Sequence, residues 1–277
     1  MTTHDVSILT SRPVSVMNGR HFARARVNLR QRIARPSFIA IFPWHDLPPD
    51  PVGIDVGCGS GRWSMMVAPK VGRLHLLDAS EDALGVARGN LAEIPNVSFH
   101  LASVDNIPLD DESLDFAFSL GVLHHVPDTA AAIGSIAAKL KVGAPFLVYL
   151  YYALDNRPWW FRAIWNTSNL CRAIISRTPT TAKLIVSQII AALVYWPLAR
   201  FAALVERAGF SPSSIPLAFY RHRRFYVMRT DAYDRFCTRL EQRFTRQQIE
   251  QMLSAAGFDR VHFSAQEPYW CAVGIKR

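Results

Sequence analysis

The stretch D-V-G-C-G-S-G, residues 55–61, decides the fold of this chain. It closes a short apolar run, P-V-G-I-D-V (51–56), that reads as a buried strand, and it opens the next helix. Gly57, Gly59 and Gly61 let the backbone turn sharply and come close to a ligand. The following helix directs its N-terminal amides toward the same crevice. A dinucleotide loop would read G-x-G-x-x-G, but position 62 is Arg and Gly61 comes one step too early. The loop taken alone is also compatible with a plain tight turn between strand and helix.

Working outward, strands alternate with helices. R-L-H-L-L-D (73–78) is a second strand ending in Asp78, whose carboxylate is placed to accept from ribose hydroxyls. Ser80 caps a helix with Leu84, Ala87 and Leu91 on one face. Val97–Leu101 and Leu114–Leu120 are the third and fourth strands, and Asp128 caps a helix carrying Ile133, Ile136, Ala137 and Leu140. P-F-L-V-Y-L-Y-Y (145–152) is apolar enough for the middle of a sheet. The pattern resumes at T-R-Q-Q (245–248), a capping box whose helix buries Ile249, Met252, Leu253 and Ala256 and ends at Gly257. Arg260–Ala265 and Trp270–Ile275 follow, with Pro268 in the turn between them.

This alternation predicts an α/β, Rossmann-like, mainly parallel seven-stranded sheet with helices on both faces and an antiparallel final strand. Residues 153–243 break it. They are too long for a loop and rich in apolar helical sequence, so they predict an inserted helical subdomain on the acceptor side. The expected organisation is an N-terminal helical cap (1–50), a sheet domain (51–152 and 244–277) and the insertion (153–243).

The G-x-G-x-G spacing after Asp55 resembles motif I of the class I S-adenosylmethionine-dependent methyltransferases. The resemblance continues through L-L-D-A-S (76–80), I-P-L-D-D-E-S-L-D-F-A-F-S (107–119) and L-H-H-V-P-D (123–128), and ends in A-A-G-F and two strands. It covers about half the chain and looks most like the ubiquinone/menaquinone-biosynthesis type of small-molecule enzyme. It implies S-adenosyl-L-methionine as cofactor. Asp55 and the Gly57 backbone would hold the methionine amine end, Gly59 and Gly61 would line the close approach, and Asp78 would bind the ribose. Ala79 would lie beside the adenine, Ser103 and Val104 would stand at the adenine-contact pair, and Leu120 with Gly121 would lie near the sulfonium. The family usually has Asp where this chain has Ser103, and a hydroxyl accepts more weakly than a carboxylate.

The acceptor side is less defined. Methyl transfer needs positioning first and a base only if the acceptor loses a proton. His124 and His125, at the crevice end of the fourth strand, are the candidate catalytic pair, with a structural turn as the plain alternative. Tyr152, Tyr220, Arg221 and Tyr226 are candidates to hold an aromatic or anionic acceptor, with ordinary packing as theirs. The expected acceptor is small and hydrophobic or lipid-like, methylated at oxygen or carbon.

Charge and composition bound the rest. The net charge is +9, and its distribution is uneven: residues 51–151 carry −5, whereas residues 152–243 carry +9. The excess therefore belongs to an added surface with its own partner. Cys58, Cys171, Cys237 and Cys271 have no metal-ligand spacing, so no metal is expected. The N-terminus lacks the apolar core of a signal peptide, so the expected setting is cytoplasmic. L-I-V-S-Q-I-I-A-A-L-V-Y-W-P-L-A (184–199) is shorter than the roughly 20 residues a spanning helix needs. It reads as a lid or cap helix, or alternatively as contact with an anionic membrane surface. Residues 21–35, with Phe22, Ala25, Leu29 and Ile33 on one face, read as a helix over the cofactor crevice. A nucleic-acid methyltransferase is the first rival, but G-V-L-H-H-V-P stands where base-modifying enzymes carry Asn/Asp-Pro-Pro-aromatic, so no nucleic-acid partner is expected. A non-catalytic membrane- or partner-binding module on the same fold is the second.

Overall fold

The computed structural model describes residues 41–237, 240–265 and 270–277. The expected cap helix at 21–35 and the turn at Pro268 lie outside these residues. The described chain forms two compact units: the residues up to Ala153 together with Gln242–Arg277, and Leu154–Glu241.

The first unit is built on β1 (Val52–Val56), β2 (Arg73–Asp78), β3 (Val97–Leu101), β4 (Phe116–Leu120), β5 (Pro145–Tyr149), β6 (Phe258–Phe263) and β7 (Cys271–Lys276). They form one seven-stranded sheet in the order β3-β2-β1-β4-β5-β7-β6. β1 to β5 run parallel, and β7 is antiparallel to both β5 and β6. The predicted architecture, including the antiparallel last strand, is the observed one.

Two helix pairs cover the sheet. α1 (Ser64–Val67) and α2 (Glu81–Asn90) share a core with Leu74, Leu76, Phe116, Phe118 and Leu147. α3 (Thr129–Lys139) and α8 (Arg246–Ala255) share the other, with Ile54, Val56, Ala117, Phe146 and Val148. Alternate residues of each strand thus point to opposite cores, as the pleat requires. Ile133 and Ile136 of α3 and Ile249 and Leu253 of α8 are fully buried. Each contributes roughly 1.5–3 kcal/mol relative to exposure. The helix starts follow the predicted caps: Ser80 accepts from Ala83 N, Asp128 from Ala131 N, and Thr245 and Gln248 form a complete capping box.

Several boundaries differ from the sequence reading. The first helix is a single α turn, Ser64–Val67, rather than Arg62–Pro69, because the chain passes into 3-10 geometry around Pro69. β4 starts at Phe116, and Leu114 instead bridges Leu140. β5 ends at Tyr149, the last residue paired with β7; beyond it Tyr152 bridges Phe244. β6 starts at Phe258, directly after the left-handed Gly257, with a register shift between Asp259 and His262.

One glycine carries packing the sequence did not announce. A Cβ on Gly53 of β1 would stand 2.2 Å from the Phe116 ring. Phe116 is in turn covered edge-on by Phe42 and Trp44.

The second unit is helical. It comprises α4 (Trp159–Ile175), α5 (Thr180–Ile190), a π-turn (Ala191–Tyr195), α6 (Trp196–Arg207) and α7 (Phe225–Cys237). α5, the π-turn and α6 form one unbroken helix of 28 residues, Thr180–Arg207. The sequence reading gives the apolar segment sixteen residues, 184–199, and the helix that carries it runs further on both sides. Pro197 lies near the start of α6, and the wider π-turn lies just before it. Such a turn accommodates the ring and the missing N–H without a break. The unit's small core joins Ala191, Tyr195 and Ala199 to Met228, Ala232 and Phe236 of α7.

Candidate active site

The strand order reverses direction between β1 and β4, since β2 and β3 lie on one side and β5 on the other. In open α/β sheets the crevice outside the carboxyl ends at such a point receives the ligand. The glycine loop, Asp78 and the Leu120–His125 segment all stand at those ends.

The loop is held by backbone and carboxylate together. Gly57 N and Cys58 N both donate to Leu77 O, at 2.7 and 3.0 Å. Gly59 N donates to Asp78 Oδ2 and Ser80 N to Asp78 Oδ1, each at 2.9 Å. Asn90 of α2 donates to Ser60 O. The three glycines have positive φ, but their surroundings differ. A Cβ on Gly57 would meet Val122 at 2.3 Å and one on Gly61 would meet Leu91 at 2.4 Å, whereas one on Gly59 meets nothing within 4 Å. Gly57 and Gly61 are therefore packing positions, and Gly59 borders open space.

Two acidic side chains back the loop. Asp55 is 1% exposed and accepts from the Ser64 hydroxyl at the start of α1. Burial pushes its carboxyl up to about 7; Ser64 opposes that shift and the Asp78 charge adds to it. Burial also raises Asp78, against the lowering effect of the amides of Ser80, Gly59 and Ala79. Cys58 is buried between these carboxyls, and burial pushes its thiol far above neutrality. It is no nucleophile at neutral pH.

The remaining cofactor-side positions lie where their strands end. Ala79 and Ser103 are exposed, Val104 is half-buried against the core, and Leu120 is buried. Gly121 is left-handed with Tyr149 at 3.8 Å from its Cβ position.

The two histidines differ sharply. Both sit in a 3-10 turn, Leu123–His125, which other parts of the unit pin in place. Thr129 Oγ1 donates to Leu123 O, Gln242 N to His124 O, and Gln242 Nε2 to Val126 O. The His124 ring is fully buried, stacked on Tyr151 at 3.7 Å and beside His125 at 4.1 Å. Neither of its nitrogens has a hydrogen-bond partner among the described residues. Burial first, then the charges of His125 and Arg243, hold it well below the usual imidazole range. It is neutral at pH 7. His125 is half-buried, with Tyr151 edge-on at 5.9 Å. The sequence reading took the histidines as equivalent and did not find Gln242, Val122 or Ser64, whose contacts arise only in three dimensions.

The four acceptor candidates divide between the units. Tyr152 is in the sheet unit, paired with Phe244. Tyr220, Arg221 and Tyr226 belong to the helical unit. There the Tyr220 hydroxyl donates to Asp231 at 2.8 Å and Arg221 binds Glu206 at 2.9 Å, so both tie helices together. Tyr226 lies under Arg229. Among the described residues, no group of three or more His, Cys, Asp or Glu is placed to hold a metal ion.

Comparison with known proteins agrees with this geometry. Residues 54–143 match the family model of a methyltransferase domain. A ubiquinone biosynthesis O-methyltransferase of Hydrogenovibrio crunogenus is 33% identical over 106 residues, covering 38% of this chain and 42% of that protein. A tRNA (carboxymethyluridine(34)-5-O)-methyltransferase of Saccharomyces cerevisiae is 33% identical over 109 residues, covering 38% and 37%. The chain thus spans less than half the length of these curated relatives. A solved structure from Bacillus halodurans C-125, described as a candidate methyltransferase, has the same fold, with a TM-score of 0.50 at 17% identity, covering 81% of this chain and 69% of that one. The glycine loop, the sheet order and these matches together mark residues 54–143 as a methyltransferase domain of the class I, S-adenosylmethionine-dependent type.

Proposed function

We propose that this protein transfers the methyl group of S-adenosyl-L-methionine to an oxygen or carbon of a small, hydrophobic acceptor. The observation that carries the cofactor half is the contrast among the glycines: Gly57 and Gly61 are filled in, while Gly59 faces open space beside a carboxylate tethered to its own amide. The residues fit a cationic, ribose-bearing ligand. Asp78, held by three backbone amides, keeps lone pairs for ribose hydroxyls, and Asp55 with Asp78 forms an acidic floor for positive charge. The exposed Ala79 and Ser103 with Val104 border the adenine position, and Leu120 with Gly121 lies toward the sulfur.

The cofactor supplies an already activated methyl group, so the protein's work is to position the acceptor and to exclude water. Tyr149, Tyr151 and the two histidines form an aromatic group at the carboxyl ends of β4 and β5, with Arg243 over Tyr151 at 5.2 Å. That group suits a flat, unsaturated acceptor. His125 is the candidate base for a hydroxyl proton, because it retains exposure. His124, neutral and enclosed, positions the turn and the Tyr151 ring. The relative from Hydrogenovibrio, named for ubiquinone biosynthesis, supports a phenolic acceptor.

The test is transfer of labelled methyl from S-adenosyl-L-methionine to a panel holding a dihydroxylated, prenylated phenol, phosphoethanolamine and tRNA. Methylation of the phenol at oxygen or ring carbon is expected. Transfer to tRNA or phosphoethanolamine alone would overturn the acceptor class, and failure to bind the cofactor in calorimetry would overturn the reading entirely.

A further inference from the structure

The helix Thr180–Arg207 wears its apolar face outward. Its buried side consists mainly of small residues: Ser187, Ala191, Ala199 and Ala202, with Tyr195 as the large one. Its exposed side carries Ile185, Ile189, Leu193, Trp196, Phe201 and Leu204, with Leu193 72% exposed. No charged residue occurs between Lys183 and Arg200. Only 22% of its most apolar stretch is buried. A soluble helix places its large apolar residues against the core; this one exposes them. Neighbouring α4 adds to the pattern, having no buried residue while Trp159, Leu170 and Ile174 are exposed. Contiguous surface of this kind marks an interaction face.

Charge identifies the partner. Residues 154–241 carry 13 basic and 5 acidic side chains. Arginines sit on aromatic rings in the same unit: Arg200 over Trp196 at 5.9 Å, Arg223 over Phe219 at 5.0 Å and Arg229 over Tyr226 at 5.3 Å. Arg200 also donates to the carbonyls of Arg221 and Arg223, which holds that loop against the helix. Arginine–aromatic pairs in the same unit as an uncharged apolar stripe suit the headgroup boundary of a bilayer. A nucleic acid would meet the charge but not the stripe; a second copy of the chain would meet the stripe but bring a like charge.

We propose that the helical unit docks on an anionic phospholipid surface, with the outer face of Thr180–Arg207 lying in the plane of the bilayer. At 1.5 Å per residue the helix is about 42 Å long, enough to cross. Its inner face, however, is bound to α7, which carries Arg229, Asp231 and Arg235. Crossing would draw those charges into hydrocarbon or strip α7 away, whereas lying flat leaves them on the water side.

The test is co-sedimentation of the full chain with phosphatidylcholine vesicles, with and without phosphatidylglycerol. Pelleting that depends on phosphatidylglycerol and weakens with salt is expected. Ile189→Glu with Leu193→Glu should lower the partition coefficient roughly tenfold or more. Arg223→Glu with Arg224→Glu should remove the preference for anionic lipid. Cofactor affinity, measured by calorimetry, should stay unchanged in both, which separates this result from misfolding and from the fate of the methyltransferase reading. Absence of pelleting, equal pelleting of the apolar variant, conversion of a dimer to a monomer by that variant without vesicle binding, or tRNA binding lost in the same variant would each overturn the proposal.

Discussion

Asp78 Oδ2 accepts the amide of Gly59 at 2.9 Å, while its other oxygen accepts the amide of Ser80 at the same distance. One side chain at the end of β2 thus fixes both the glycine loop beyond β1 and the start of α2. On the proposed reading, replacing it removes a ribose contact as well as loosening the glycine loop. Asp78→Ala is expected to weaken S-adenosyl-L-methionine binding by at least roughly tenfold to a hundredfold, as charge-assisted hydrogen bonds of about 1.5–3 kcal/mol imply. Calorimetry reads the affinity, and a thermal melt confirms that the domain is folded. Unchanged affinity would remove Asp78 from the site.

Gly53 lies under the Phe116 ring, where an added Cβ would stand 2.2 Å from its nearest atom. The ring has no room to retreat, since Phe42 and Trp44 cover it. Gly53→Ala should therefore destabilise the sheet unit by about 1–3 kcal/mol, the usual cost of overpacking. Phe116→Leu should recover part of the loss when combined with it. Denaturant melts of the two single variants and the double variant measure the coupling; strict additivity would refute the contact.

These two positions show how far the sequence could be read. Asp78 was legible because strand patterning and its distance from the glycines fix it in one dimension. Gly53 was not, since nothing local distinguishes it from a weak strand residue; its reason is a ring 63 positions away. The capping residues Ser80, Asp128 and Thr245 were legible because a cap acts within three residues. The turn holding His124 was not, because Gln242 reaches it from the far side of the helical insertion. The full length of the Thr180–Arg207 helix was not legible either, because the π-turn before Pro197 has no sequence signature.

Burial raises Asp55 from 3.8 to about 7. Between those values the unfolded chain releases the proton and the folded chain keeps it. Stability therefore falls as pH rises from about 4 to about 7, with a slope of up to about 1.4 kcal/mol per pH unit from this group. A cationic ligand favours the ionised carboxylate, so cofactor affinity should rise over the same interval and binding should release a proton. Asp55→Asn is expected to flatten both dependences. Melts across this range, with calorimetry in buffers of different ionisation enthalpy, check the two signs. A wild-type slope in the variant would assign the effect elsewhere.

The adjacent histidines should separate by kinetics. His125 retains exposure, so His125→Ala is expected to lower kcat on a hydroxyl acceptor by roughly a hundredfold or more, the usual worth of a general base, with little change in cofactor affinity. His124 is enclosed and stacked on Tyr151, and both nitrogens lack hydrogen-bond partners among the described residues. Its removal should act through packing instead. His124→Phe, which keeps a ring of similar breadth against Tyr151, should preserve most activity and raise stability, because it replaces a buried polar group by an apolar one. His124→Ala should lose both. The pH–rate profile distinguishes the roles: its acid limb should disappear in His125→Ala and persist in His124→Phe. If His124→Phe abolishes turnover while remaining folded, the buried imidazole is the one that meets the acceptor, and Tyr151 must move to expose it.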